Sequence, residues 1–346
     1  MEWELVKQRF SRSRLDEILH SCQVVKVGVV GDFTLDAYWY ADMTRAELSR
    51  ETPLFARPVV RETYSPGGAA NVAWNLADLG VARVEAFTAF GVDWRGELFR
   101  QVLGRLNISL EHSISAESWS TPLYGKVLLL NQNLAQEDAR LDFINTHPLP
   151  AQAEAELLAN LERAAAGLDA LIVADYQAVG VLSPGFRRSL NDLAQRSPDL
   201  RCVADSRQHI GSFAGMALKP NEIEAGRLLF PGREAASISA SELEQGGLRL
   251  QAQAGRPVYI TQGERGCLLC EAGRVSRLPA VALAPPIDPV GAGDTFVACL
   301  AACLAAGASA WEAGITATLA AAVTVKILHI TGTASPQAIL AQYDAL

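Results

Sequence analysis

The chain has 346 residues, 49% of them hydrophobic and 20% charged. That is long enough to bury a core without a disulfide or metal staple and too apolar for a disordered chain. Thirty Lys and Arg against 38 Asp and Glu leave a formal net charge of −8, which repels a phosphate backbone, so no nucleic-acid partner is expected. No signal-peptide core opens the chain, and its most apolar tract, Phe296–Ala308, is shorter than the roughly 20 residues that cross a bilayer. A cytoplasmic protein without a membrane partner is expected. The Cys267/Cys270 pair lies in an apolar run with no second pair and no nearby His, so strand residues are expected there rather than metal ligands. Cys299 and Cys303 share a helix face and read as core.

The β-branched run Val24–Val30 predicts a buried strand ending at Gly31-Asp32. Between Ala37 and Thr63 there is no helical period, and short antiparallel strands outside the main sheet are expected. Pro66-Gly67-Gly68 breaks the chain before a helix over Ala69–Leu79 that Gly80 closes. Strands are then predicted at Val84–Ala89, Tyr124–Leu130, Ala170–Ala174, Arg201–Ala204, Val258–Thr261 and Gly266–Cys270. Helices are predicted at Trp94–Leu106, Ala151–Ala166, Phe186–Arg196, Thr295–Ala306, Ala310–Val325 and Pro336–Tyr343. This alternation implies an α/β fold with a mostly parallel sheet covered on both faces. Sites in such folds lie at the carboxyl ends of strands, where Asp32, Asp175, Asp205, Asn221 and Thr261 fall. Each of them could instead be a cap or a turn residue.

The string Asp288–Phe296, DPVGAGDTF, leads directly into an apolar helix. Gly291, Ala292 and Gly293 let backbone amides and the helix N-terminus face one point, an anion hole suited to a transferring phosphoryl group. Asp294 is placed to accept a proton from a substrate hydroxyl; the plainer alternative is an Asp helix cap. No GxxxxGK[ST] string occurs, and the third glycine of GxGxxG is missing, which argues against a Walker-type or dinucleotide site. Gly67 and Gly68 permit close ligand approach, and Asn71 can donate and accept hydrogen bonds, which suits a polyhydroxylated ligand.

In these strings the chain resembles the ribokinase-like (PfkB) carbohydrate kinases over nearly its whole length. Gly67-Gly68-Ala69-Ala70-Asn71 resembles one family signature and Asp288–Asp294 the other. Lys219-Pro220-Asn221-Glu222-Ile223-Glu224 resembles the Asn-x-x-Glu motif, and Thr261-Gln262-Gly263-Glu264-Arg265-Gly266 the Thr-x-Gly-x-x-Gly nucleotide segment. The resemblance implies a three-layer α/β/α kinase domain over 1–346, with a small β-sheet lid from about 33–63 and 110–145 that often supports a homodimer. It implies ATP-dependent phosphorylation of a sugar or sugar phosphate. Asp32 and Asp36 would hold sugar hydroxyls, and Asn221, Thr261, Gly263 and Gly266 the nucleotide. Mg²⁺ would be held through water near Asn221 and Glu224, and Asp288 would offer a K⁺ site.

Within the family the likeness is nearest to the heptose 7-phosphate kinase branch, which acts at the 1-position. It rests on Gly31-Asp32, Leu35-Asp36, Tyr38-Trp39-Tyr40, Ser49–Pro53, Arg140-Leu141-Asp142 and Ala174-Asp175-Tyr176. The chain departs from that branch in three places. No lysine follows Tyr176, Arg207 stands where a lysine is usual, and the loop at 131–138 is longer. Arg207 and Lys126 are the expected contacts to a substrate phosphate. No nucleotidyltransferase domain is expected after the kinase region. The alternatives are another sugar or nucleoside kinase of the family, or a non-catalytic sensor on the same fold.

Overall fold

The computed structural model describes residues 2–131, 134–328 and 331–346. It opens with α1 (Glu2–Arg9) and α2 (Arg12–Cys22), followed by β1 (Lys26–Gly31), β2 (Phe33–Asp42), β3 (Val59–Gly68) and α3 (Ala69–Leu79). Next come β4 (Arg83–Phe87), β5 (Ala89–Gly91), α4 (Trp94–Arg105), β6 (Ile108–Ser109), β7 (Ile114–Ala116), β8 (Leu123–Asn131) and β9 (Leu134–Phe143). The chain continues through α5 (Ala151–Ala165), β10 (Ala170–Asp175), α6 (Pro184–Arg196), β11 (Arg201–Ser206), β12 (Ala217–Leu218), α7 (Glu222–Leu229) and α8 (Ala240–Ala254). It closes with β13 (Val258–Thr261), β14 (Cys267–Glu271), β15 (Arg274–Leu278), α9 (Ala292–Ala305), α10 (Ala310–Thr324) and α11 (Pro336–Asp344).

Among the described residues nine strands form one sheet in the order β15-β14-β13-β12-β11-β10-β1-β4-β6. It is parallel except at β13-β14-β15. Strand side chains alternate between its faces: Ala170, Ile172 and Ala174 of β10 join the core under α2, α3 and α9–α11, while Leu171 and Val173 join the core under α5, α6 and α8. The result is the expected three-layer α/β/α fold. The same alternation separates Cys267 from Cys270, which lie in opposite cores and cannot share a metal. A second sheet, ordered β3-β2-β8-β9, stands apart. It is mixed rather than purely antiparallel, because β2 pairs with β8 in parallel.

Several elements differ from expectation. Pro66-Gly67-Gly68 does not break the chain but finishes β3, an edge strand of the second sheet, where a residue lacking an N–H is tolerated. Residues 134–138 belong to β9 rather than to a loop; residues 132 and 133 lie outside the described residues. In α8 the pair Gly246-Gly247 hides the helix from propensity reasoning. A Cβ on Gly247 would stand 2.6 Å from Cys270 Sγ, so glycine is what lets α8 pack so close to β14. The capping box of Ser239 and Glu242 starts the helix. Helix α1 buries only Val6 and is held from outside, by Trp3 Nε1 donating to Ala280 O at 2.8 Å and by Arg9 over the Trp311 ring.

Asp32 is the junction of the two sheets. Its N–H donates to Ala174 O of the main sheet, and its carbonyl accepts from Ala69 N at the start of α3. From there the chain passes straight into β2.

Candidate active site

The carboxyl ends of β1, β10, β11 and β12 meet the N-termini of α3 and α9. Gly291 caps α9 in the left-handed region at φ 81°, and no side chain caps that helix end. Asp294 therefore sits in the first turn and is not the cap. Ala292 N–H is spent on Pro289 O at 3.2 Å. The remaining first-turn amides project from the helix end, where they and the macrodipole favour an anion. A Cβ on Gly293 would find one atom within 4 Å, Lys219 Nζ at 3.5 Å. The glycine thus faces an ammonium group, with no other atom near that side.

Lys219 is the main residue that sequence reasoning passed over, although it adjoins Pro220-Asn221. It is 4% exposed, and its Nζ lies 3.1 Å from Asp205 Oδ2. Burial alone would lower the ammonium pKa, but Asp205, Glu224 and Asp294 outweigh it and raise the value. Asp205 also accepts from Tyr176 Oη at 2.9 Å.

Asp294 Oδ2 accepts from Asn71 Nδ2 at 2.8 Å. Burial, reinforced by the charge of Asp205 and opposed by the Asn71 bond, pushes the Asp294 carboxyl up to about 6. That suits a base poised near neutrality. Asp36, on β2, is pushed up to about 7, first by burial and then by Asp294, against the pull of Lys126, Arg140 and Arg207. Gly67 lies under Asp36: a Cβ there would collide with its carboxylate and come within 2.7 Å of Thr34 Oγ1. The buried Thr34 hydroxyl has no partner, a further polar group facing this space that the sequence reading did not single out. Gly68, at φ 55°, turns the chain into α3.

Other expected residues are placed differently. Asp32 is 2% exposed and spends both carboxylate oxygens on backbone: Oδ2 accepts from Tyr176 N and Gln177 N, and Oδ1 from Val181 N. It organises the loop after β10, with three backbone amides already on its oxygens. Asp175 is likewise committed to Ser206, Arg187 and His209. Asn221 forms a capping box with Glu224: its Oδ1 accepts from Ile223 N and Glu224 N, while Glu224 Oε2 accepts from Asn221 N. Thr261 bridges Asn221 across the β13 end. Gly263 and Gly266 turn at φ 58° and 84°, and Arg265 pairs with Glu222 of α7, so this segment sits beside the cap. Arg207 lies over the Tyr176 ring at 5.3 Å, and Lys126 over Tyr38 at 5.8 Å. Arg140, named from the sequence only within a resembling string and given no role, lies over Tyr124 at 4.8 Å. Asp288 Oδ1 accepts from Val290 N, and its N–H donates to Val325 O.

An anion cradle, a hydrogen-bonded carboxylate of raised pKa and a buried lysine at one sheet edge define a phosphotransferase site on an α/β scaffold. The sequence profile of the pfkB family of carbohydrate kinases matches residues 26–331, and the chain belongs to that family. The bifunctional protein HldE of Trichlorobacter lovleyi is 30% identical over 337 residues, 95% of this chain and 65% of that protein. HldE of Erwinia tasmaniensis is 31% identical over 310 residues, 89% and 61% respectively. The chain thus spans somewhat under two thirds of these relatives. The fold is shared with Arabidopsis thaliana ribokinase complexed with ribose and ATP (TM-score 0.67, 18% identity, 92% and 99% covered). It is shared too with Escherichia coli phosphofructokinase-2 in complex with potassium (TM-score 0.71, 17% identity, 93% and 99% covered).

Two outcomes follow from these carboxylates. Asp294→Asn keeps the shape and removes the proton acceptor, so turnover should fall by about 10²–10⁴-fold with ATP binding retained. In the unaltered protein kcat should fall as pH drops through about 6; near-normal turnover in the variant excludes the base. Asp36 binds its proton more tightly folded than unfolded, so its contribution to stability is lost as pH rises toward about 7. Asp36→Asn should therefore raise Tm by about 1–3 °C at pH 8 and by less at pH 5, measured by calorimetry, while weakening the sugar acceptor. An equal shift at both pH values contradicts the assignment.

Proposed function

We propose that the chain transfers the γ-phosphoryl group of ATP to the 1-hydroxyl of D-glycero-β-D-manno-heptose 7-phosphate. The observation that carries the transfer is the Lys219 ammonium facing the side-chain-free Gly293 at the uncapped end of α9, with Asp294 at the next position. In this reading Asp294 Oδ1 takes the hydroxyl proton while the sugar oxygen attacks the γ-phosphorus. The bond to the β,γ-bridging oxygen breaks, and ADP leaves with its electrons. Lys219 and the α9 amides meet the charge on the phosphoryl group in flight.

Mg²⁺ on the nucleotide would neutralise phosphate charge. Because Asn221 Oδ1 is committed to its cap, the fit is through water, with the Glu224 carboxylate as the acceptor. Asp288, with the Val325 end of α10 drawn beside it, supplies oxygens suited to a hard monovalent cation such as K⁺.

Charge supports a phosphorylated acceptor. Lys126, Arg140 and Arg207 lie over separate tyrosines, and all act on Asp36. Three cations around the sugar carboxylate suit an acceptor that brings its own phosphate. The 30% and 31% identity with the HldE proteins and the resemblance in the first half of the chain support a heptose. In this reading the second sheet is the lid. Exposed Phe55, Val59 and Val60 on and beside its β3 edge support a homodimer through it. Six free cysteines accord with a cytoplasmic, reducing setting.

The test compares kcat/KM for heptose 7-phosphate, fructose 6-phosphate, ribose and adenosine, then repeats it in Arg207→Ala and Arg140→Ala. Each substitution should cost the phosphorylated acceptor about 10–100-fold, the worth of a charge-assisted hydrogen bond, and leave ribose nearly unchanged. Preference for an uncharged acceptor, indifferent to both substitutions, overturns the phosphate site.

A further inference from the structure

Helix α3 buries two primary amides on an otherwise apolar face. Ala70, Val72, Ala73 and Leu76 surround them, and Asn71 and Asn75 are 0% and 3% exposed. Four residues apart, they lie one turn above each other. A buried amide costs free energy unless it is hydrogen-bonded. Asn71 meets that condition through Asp294, whereas Asn75 has no contact with the reacting groups and needs another reason.

Its bonds supply one. Asn75 Nδ2 donates to Asn71 O at 2.9 Å and lies 3.4 Å from Asn71 Oδ1 and 3.5 Å from Gly332 O. Two of these oxygens are backbone carbonyls, which can only accept. Asn75 must therefore present its NH₂ side, although its Oδ1 is then left buried with no hydrogen-bond partner. This choice determines the next amide. Asn71 keeps Oδ1 toward Asn75 and Nδ2 on Asp294 Oδ2 at 2.8 Å. A terminal amide has two nearly isosteric orientations, and only one offers a donor to the carboxylate. When Asp294 takes up a proton its hold on that donor weakens, while the backbone carbonyls that orient Asn75 do not change.

We infer that Asn75 is a positioning residue for Asp294: it fixes the amide orientation of Asn71, which occupies Oδ2 and leaves Oδ1 to take the proton. The inference rests on the reading of Asp294 as the base. Asp205, Lys219, Tyr176 and Asp36 also act on this carboxyl from the ends of β11, β12, β10 and from β2. They are present in every variant compared, so a difference between variants reports the amides.

The experiment titrates Asp294 by ¹³C carboxyl NMR, its resonance assigned by its loss in Asp294→Asn. The comparison covers the unaltered protein, Asn71→Leu, Asn75→Leu and Asn75→Ala. Asn75→Leu fills nearly the same volume without a donor; Asn75→Ala removes volume and donor together. Asn71→Leu should raise the Asp294 midpoint, because a hydrogen bond to the ionised form is lost. Both Asn75 variants should raise it in the same direction, with kcat lowered about tenfold and KM for ATP within about twofold. A packing role would let Leu restore the unaltered midpoint and leave only Ala changed, and that result overturns the inference. The titration needs no turnover: if the unaltered protein phosphorylates no sugar, the kinase reading falls, while the midpoints still decide the amide relay.

Discussion

Lys219 and Asp205 are shut away from water 3.1 Å apart, and Asp294 and Glu224 act on the same ammonium. One buried cation thus serves several carboxylates at a single sheet edge, so the site in isolation is short of positive charge. Burial then pushes Asp294, Asp205 and Glu224 upward together. The bare N-terminus of α9, with Lys219 Nζ facing Gly293, completes the arrangement. A phosphate group meets both the helix end and the lysine, and in the proposed reading a divalent cation on it meets Glu224 through water.

The scaffold that holds this edge is organised around Asp32. Asp32 ties β1 to β10 and to the start of α3 through its backbone, and to the loop 176–181 through its carboxylate. Tyr176 leaves that loop to reach Asp205, and Asn71 leaves α3 to reach Asp294. The second sheet departs from the same point, which brings Asp36 and the cation-bearing strands β8 and β9 over the edge. Asp294, Asp36 and Lys219 are thereby positioned from one junction.

Much of this was legible in the residues. The β-branched runs located the parallel strands because buried strands need continuous apolar sequence, and DPVGAGDTF located the cradle because few other strings place two glycines and a carboxylate at a helix start. The rest was tertiary. Asp32 was expected at a sugar hydroxyl, and three backbone amides distant in sequence already occupy its oxygens. Asn221 looked like a ligand, yet its side-chain oxygen caps α7. Lys219 and Arg140 were given no role because a lone cation in a strand or an exposed hairpin carries no local signal until its partners fold beside it. Helix α8 was hidden by a glycine pair whose purpose, close approach to Cys270, exists only in the packed protein.

The most direct measurement is ³¹P NMR of the protein incubated with ATP, Mg²⁺ and D-glycero-β-D-manno-heptose 7-phosphate. The account predicts ADP in step with a second sugar phosphate resonance split by the anomeric proton, and none from Asp294→Asn. ATP left intact in the presence of the sugar, or ADP formed with inorganic phosphate and no new ester, would contradict it.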